Sequence, residues 1–289
     1  MSNPHGLNPN GPTLQGIDVA YPQGAAFDWR AVAADGIRFA YCKATQGAAA
    51  VDGTFGRNWI QSRAAGVLRG AYHFLSPGSD PVVQADHFLR TVGPLTDDDL
   101  HPMLDVEVDH GKPPAQILEY ALRWCERVEA ATGRPVVLYT YPSFFIGALG
   151  NPLASPLGTR PLWIAHYVVD PNTGRVYGLK SPTVPRAWQS WRIWQTSGNR
   201  GPRIPGIEVD VDRDVFWGDE DAFRRAFTAR RDTLPSPVMP PPDSDAPTWP
   251  GTPTSKSSDR LRAVAATALR AGEGEHTVPL QEIDFEGVT

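Results

Sequence analysis

Short apolar segments recur along the first 220 residues of the chain, and each one ends at polar residues, glycine or proline. Many of them are apolar at nearly every position, which is typical of strands that protein covers on both faces. The pattern predicts eight strands, at residues 14–20, 37–45, 68–75, 101–107, 135–140, 161–166, 191–195 and 207–215.

Amphipathic segments separate several of these strands, and residues 52–65, 81–92 and 113–131 have apolar positions at helical spacing. The later connections, at residues 151–160 and 170–186, are rich in proline and glycine and predict loops. Because the strands outnumber the helices, we expect an irregular eight-stranded β/α (TIM-like) barrel with fewer than eight helices. An open doubly wound sheet is the alternative, but no glycine-rich phosphate-binding loop follows the first strand.

The composition of the chain changes after residue 231. Residues 14–231 form the predicted barrel domain, and residues 1–13 precede it as a short extension. Residues 232–256 are rich in proline and predict a semi-extended linker that cannot form a core. Residues 257–289 form a short C-terminal tail with the pattern of one amphipathic helix near its start. The tail is too short for a robust core of its own.

Composition excludes several classes of partner and cofactor. A net charge of −5 and a pI near 5.8 give the chain no general attraction for nucleic acid or anionic membranes. No segment is apolar over the ~20 residues that a membrane-spanning helix needs, so we expect no membrane insertion. Cys42 and Cys125 lie in apolar patterns and are expected to be small buried residues. No spacing of Cys and His resembles a zinc site, and we expect no metal and no cofactor.

Two acids end the fourth predicted strand, which is otherwise largely apolar. Asp105 and Glu107 are two residues apart, so alternation directs both side chains to one face while Val106 faces the other way. Acids in such a strand need either solvent or a function, because their desolvation is costly. Asp18 lies near the end of the first strand and Asp212 lies in the last strand. In a closed barrel these strands are neighbours, so we expect all four acids to face one pocket at the mouth.

Several carboxylates in one pocket repel one another, and this repulsion raises the pKa of at least one of them. A carboxyl group that keeps its proton near neutral pH is the proton donor that glycoside hydrolysis requires. The last strand leaves one assignment open, because Asp210, Asp212 and Asp214 share one face by alternation. The position at which that strand ends decides which of them reaches the mouth.

Large aromatic residues stand at or near predicted strand ends, where sugar rings could stack on them. These residues are Tyr72, Tyr139, Trp163 and Tyr167. Aromatic side chains also fill barrel interiors, so a structural role is the alternative for each. Gln195, at the end of the seventh strand, is either a hydrogen-bond partner of the sugar or a structural amide. His73 is expected to be a core histidine rather than a general base.

An ordered set of short motifs runs along the predicted barrel. The motifs are GIDV at 16–19, FAYCKATQG at 39–47, GAYHF at 70–74, LDVE at 104–107, LWIAHY at 162–167, WQ at 194–195 and DRDVF at 212–216. Any one of these motifs is weak, but together they cover residues 14–220. In this set and order the chain resembles family 25 glycoside hydrolases, the muramidases often called Chalaropsis-type lysozymes.

The resemblance implies cleavage of the β-1,4 bond between N-acetylmuramic acid and N-acetylglucosamine in peptidoglycan glycan strands. It also implies that Glu107 is the general acid and that Asp105 orients or stabilises the substrate acetamido group. Asp18 and Asp212 would complete the acidic pocket. The chain departs from the family at Asp214, where many members have asparagine.

Three other functions compete with this interpretation. A barrel chitinase would have a longer acidic motif, Asp-x-x-Asp-x-Asp-x-Glu, of which residues 100–107 supply only the last pair. A non-catalytic peptidoglycan-binding module on the same barrel is the main alternative, although all four family acids are present. A metal-dependent hydrolase would need histidines beside the carboxylates.

The amino terminus shows no basic residues followed by an apolar run, so we expect synthesis in the cytoplasm without a Sec signal. Such an enzyme reaches the wall or periplasm either as a phage endolysin or as an injection-machine or secretion-associated component. In the second case residues 257–289 are the candidate attachment segment for a carrier or delivery-machine protein, and a wall-binding tail is a third possibility.

Overall fold

The structure, a computed structural model, describes residues 12–21, 27–167, 181–198 and 203–228. The predicted linker at 232–256 and the tail at 257–289 lie outside these residues. The strands of the described ranges are β1 (Thr13–Val19), β2 (Ile37–Gln46), β3 (Ala50–Val51), β4 (Leu68–Phe74), β5 (Met103–Asp105), β6 (Val137–Thr140), β7 (Leu162–Ala165), β8 (Ile193–Ser197) and β9 (Asp212–Trp217). The α-helices are α1 (Trp29–Ala34), α2 (Phe55–Ala64), α3 (Pro81–Val92), α4 (Pro114–Thr132) and α5 (Glu220–Phe227).

The strands form a closed barrel in the order β1-β9-β8-β7-β6-β5-β4-β2, and pairing of β1 with β2 closes it. The two-residue strand β3 is a short antiparallel addition to the edge of β2. The predicted irregular eight-stranded barrel with few helices is therefore confirmed. The connection between β6 and β7 has only a π-helical turn at Ser143–Ala148 and a 3₁₀ turn at Pro156–Thr159.

The last strand differs from its prediction. We expected it at residues 207–215 and parallel to its neighbours, but β9 starts at Asp212 and runs antiparallel to both β1 and β8. A parallel connection needs a crossover, usually a helix, and no helix lies between β8 and β9 in the described part of this connection. The chain therefore turns back at the mouth, and the amino end of β9 lies beside the carboxyl ends of the other strands.

Two apolar cores surround the barrel wall. One lies between the strands and the outer helices and includes Trp124 and Phe88. The other fills the barrel interior, where Phe39 stacks on Phe223 of α5 with ring centroids 4.5 Å apart. Helix α5 thus closes the end of the barrel opposite the mouth. A Cβ atom at Gly16 would overlap the ring of Phe39, so only glycine fits at that position of β1.

Local sequence signals set the helix boundaries. Asp80 caps α3 by accepting hydrogen bonds from the backbone N–H groups of Val82 and Val83. Helix α4 begins after Pro113 and ends at Gly133, which has a left-handed conformation with φ of 66°. Both helices agree closely with the predicted ranges 81–92 and 113–131 because these signals are local.

Both cysteines are buried and unpaired, as the apolar patterns around them predicted. No helix within the described ranges is long and apolar enough to cross a membrane.

Candidate active site

A cavity of about 210 Å³ opens at the end of the barrel where the parallel strands terminate. It brings together all four predicted acids, which belong to strands far apart in sequence. Three tyrosines, one lysine and two apolar residues complete the wall. The lining residues are Asp18, Lys43, Tyr72, Phe74, Met103, Asp105, Glu107, Tyr139, Tyr167 and Asp212.

The strand ends place the acids. Asp18 is the second-to-last residue of β1, and Asp105 is the last residue of β5. Glu107 lies two residues beyond β5, which is shorter than the predicted range 101–107. The backbone N–H of Val106 still donates a hydrogen bond to the carbonyl of Tyr139 in β6 at 3.0 Å, so the chain stays paired with β6 up to the residue before Glu107. Asp212 is the first residue of β9 and is the cross-strand partner of Asp18. The reversed direction of β9 is therefore what brings Asp212 to the mouth.

Asp18 is held by a chain of buried hydrogen bonds. Gln195 donates from Nε2 to Oδ2 of Asp18 at 2.6 Å, and the Tyr139 hydroxyl donates to Oε1 of Gln195 at 2.9 Å. Gln195 is only 1% exposed and does not line the cavity. Its position is that of a structural amide that orients Asp18, which is the second of the two roles considered from the sequence.

Trp163 lies below the cavity rather than on its wall. The side chain is fully buried in the interior core, and its Nε1 donates to Oδ1 of Asp214 at 3.2 Å. Asp214 is also fully buried, whereas Asp210 precedes β9 and is not among the lining residues. Among the three acids of the last strand, Asp212 is thus the one that reaches the cavity.

The predicted tyrosines do lie at the cavity. Tyr72 and Tyr139 are 7% and 8% exposed, and Tyr167 is partly buried just beyond β7. All three side chains form part of the wall that a sugar would contact, and the Tyr139 hydroxyl is engaged in its hydrogen bond to Gln195. Burial raises the pKa of all three well above 10, so they are neutral hydrogen-bonding groups.

Burial and mutual repulsion raise the pKa values of the acids. The pKa of Glu107 rises to about 7, because burial disfavours its charged form and Asp18 repels it, while Lys43 acts in the opposite direction. Burial raises the pKa of Asp18 to about 6, although the Gln195 hydrogen bond favours its ionised form. Asp105 and Asp212 also have pKa values well above the usual range, for the same two reasons. The site therefore keeps protons at neutral pH.

Lys43 is a site residue that the sequence interpretation missed. Its Nζ donates to Oε1 of Gln46 at 2.8 Å and lies 4.8 Å from the centre of the Phe74 ring. Burial lowers the pKa of Lys43, and the charges of Asp105 and Glu107 partly oppose this shift. Alternation along β2 places Phe39, Tyr41 and Lys43 on the inner face, and this signal could have identified it.

His73 is a core residue, as predicted. The Nδ1 atom is 2.7 Å from the Thr45 hydroxyl and Nε2 is 3.0 Å from Oε1 of Gln84. Gln84 donates from Nε2 to two backbone carbonyls, which fixes its Oε1 as an acceptor. Nε2 of His73 is therefore the donor, and both ring nitrogens are used inside the core.

These observations define a class of protein. A β/α barrel with clustered carboxyl groups of raised pKa and tyrosines at its mouth is typical of retaining and inverting glycosidases. No group of three or more His, Cys, Asp or Glu residues in the described part of the chain has the arrangement of a metal site.

Comparison with known proteins identifies the family. The sequence profile described as "Glycosyl hydrolases family 25" matches residues 17–206. Lysozyme M1 of Streptomyces globisporus is 35% identical over 216 residues, which cover 71% of this chain and 68% of that protein. The N,O-diacetylmuramidase of Chalaropsis sp. is 30% identical over 197 residues, covering 64% of this chain and 88% of that protein.

Solved structures agree. The bacterial lysozyme from Streptomyces coelicolor matches with a TM-score of 0.66 and 32% identity, covering 74% of this chain and 97% of that one. A family GH25 lysozyme from Aspergillus fumigatus matches with a TM-score of 0.62 and 28% identity, covering 74% of this chain and 99% of that one. The chain belongs to glycosyl hydrolase family 25, which makes it a glycoside hydrolase.

Proposed function

We propose that this enzyme hydrolyses the β-1,4 bond between N-acetylmuramic acid and N-acetylglucosamine in peptidoglycan, with Glu107 as the general acid. Membership of a family that includes lysozymes and N,O-diacetylmuramidases supports peptidoglycan as the substrate. The observation that carries the assignment of Glu107 is its place in the acid-lined cavity with a pKa of about 7. Such a group holds its proton when substrate binds and can release it to the leaving oxygen.

Asp105 is the candidate partner of the substrate acetamido group. It is buried at the cavity wall, where its carboxyl group can accept a hydrogen bond from the acetamido N–H of a bound sugar. That hydrogen bond would leave the acetamido carbonyl oxygen to attack the anomeric carbon. As that bond forms, the glycosidic bond breaks and its oxygen takes the proton of Glu107. Water then opens the cyclic intermediate and returns a proton to Glu107.

The remaining predicted residues divide into three groups. Asp18 and Asp212 also line the cavity, where a carboxylate stabilises the positive charge that develops at the anomeric carbon. Tyr72, Tyr139 and Tyr167 line the wall and would contact the glycan directly. Trp163 and Gln195 lie beneath that wall and support Asp214 and Asp18, so we propose an indirect role for both.

The decisive test compares the purified enzyme with its Glu107→Gln variant on peptidoglycan. New reducing ends are reduced with borohydride and identified by mass spectrometry. We expect reduced muramic acid ends from the wild type and none from the variant. Reduced glucosamine ends would show a glucosaminidase on the same barrel, and absence of cleavage by both proteins would favour the non-catalytic binding module.

We also propose the setting in which the enzyme acts. The wall is reached either after phage lysis or through an injection or secretion machine, and residues 257–289 attach the enzyme to its carrier. The proline-rich segment 232–256 supports this role because it separates the tail from the barrel that contains the site.

A further inference from the structure

We propose that Asp214 is a neutral carboxylic acid in the working enzyme, and that it positions Asp18 by donating a hydrogen bond to its carboxylate. This inference rests on the proposed function, because it assigns a support to an acid of that site.

Among the described residues, Trp163 is the one hydrogen-bond donor to the Asp214 carboxyl group. The side chain is fully buried, and Trp163 donates to Oδ1 at 3.2 Å. No donor among the described residues reaches Oδ2, which is itself shielded from solvent. An ionised carboxylate accepts through both oxygens, so a charged Asp214 would be a buried anion with only one hydrogen bond. That state is costly, and protonation of Oδ2 removes the cost.

The geometry also identifies the acceptor for that proton. On the antiparallel ladder Asp214 pairs with Gly16 of β1 and Asp212 pairs with Asp18, so Asp214 and Asp18 are diagonal neighbours on the inner face. Gly16 has no side chain to separate them. The Asp18 and Asp214 carboxyl groups lie within hydrogen-bonding reach of each other. Two ionised carboxylates cannot bond in this way, whereas an acid and a carboxylate can.

The charges around the pair decide which carboxyl group keeps the proton. Asp18 accepts a hydrogen bond from Gln195 and also lines the solvent-accessible cavity, and both features favour its ionised form. Asp214 does not line the cavity, and neutral Trp163 donates the 3.2 Å hydrogen bond to its carboxyl group. Asp18 and Asp212 are the acidic groups that repel its ionised form, and Asp212 also lies within hydrogen-bonding reach of Asp18. Burial and that repulsion raise the pKa of Asp214 well above its usual value, which agrees with a proton on Asp214.

The test uses the full-length enzyme and the variants Asp214→Asn and Asp214→Leu, with Asp210→Asn as the matched control outside the cavity. Asparagine can donate to Asp18 and accept from Trp163, as the neutral acid would, whereas leucine can do neither. We expect Asp214→Asn to retain activity within about twofold at neutral pH. We expect Asp214→Leu to lose at least about tenfold in kcat/KM, the effect of removing a hydrogen bond to a charged group. Its activity should also require a higher pH, because Asp18 loses a donor that favours ionisation.

Infrared difference spectra test the proton itself, independently of activity and of whether the leucine variant folds. At neutral pH the wild type should show a carbonyl stretching band of a protonated carboxyl group that Asp214→Asn lacks and Asp210→Asn retains. An unchanged band in Asp214→Asn would overturn the proposal, and so would equal loss of activity in the asparagine and leucine variants. If Glu107→Gln shows that the protein is not a hydrolase, the infrared result still decides the protonation of Asp214.

Discussion

Replacing Glu107 with glutamine should abolish hydrolysis and, at the same time, make the folded protein more stable above neutral pH. Burial and the charge of Asp18 raise the pKa of Glu107 from 4.5 to about 7. Each pKa unit corresponds to about 1.4 kcal/mol, so the ionised side chain costs at most about 3.5 kcal/mol of folding free energy. Glutamine has nearly the shape of the protonated acid and cannot ionise, so it avoids this cost.

The sign of the pH dependence follows from the same values. Between pH 4.5 and about 7 the folded state keeps a proton on Glu107 that the unfolded state has lost. The wild type therefore loses stability as pH rises through this window. The stabilising effect of glutamine should be absent below pH 4.5 and complete above pH 7.

Urea unfolding followed by tryptophan fluorescence measures this difference at about pH 4 and about pH 8. A gain of about 3.5 kcal/mol corresponds to a midpoint shift of about 1 M urea for a domain of this size. Glu119→Gln is the control, because Glu119 is exposed in α4 and its replacement should change stability by less than about 0.5 kcal/mol. Equal stability of Glu107→Gln and wild type at the higher pH would refute the assignment of a buried, proton-holding acid.

Two further predictions concern the support of Asp18 and the C-terminal tail. Gln195→Leu removes the 2.6 Å hydrogen bond to Asp18, so the pKa of Asp18 should rise above about 6. The acid limb of the pH–rate profile should therefore move up by about one pH unit. An unmoved limb would show that Gln195 does not hold Asp18. Deleting residues 235–289 should leave the activity of the purified enzyme on wall fragments unchanged and reduce its targeting in the native setting, whereas loss of activity would place the tail in the catalytic unit.

Much of the barrel could be predicted from the sequence because its determinants are local. Apolar strands, the proline start of α4 and the glycine that ends it all act within a few residues. Asp18 and Asp105 could be predicted as site residues from the sequence, because a polar residue at the carboxyl end of an apolar strand lies at the barrel mouth.

The depth of a side chain inside the barrel could not be predicted from the sequence. Alternation shows that Trp163, Gln195 and Tyr167 all point inward, but not how far each lies below the mouth. Depth depends on the register between neighbouring strands, which pairs Gln195 with Asp214 and Trp163 with Ile193. For this reason Gln195 and Trp163, which the sequence left as either sugar contacts or structural side chains, lie under the acids, while Tyr167 lines the cavity.

The sequence alone determined the class of fold and the family and made Asp18, Asp105 and Glu107 candidates, because strand patterning and short motifs are properties of contiguous residues. Only the tertiary structure decided the direction of β9, which places Asp212 rather than Asp210 at the cavity. The tertiary structure also raises the pKa values of the cavity acids, places Lys43 at the cavity wall and brings Asp214 close to Asp18. Burial and charge repulsion depend on groups brought together from distant strands, and no local pattern specifies those distances.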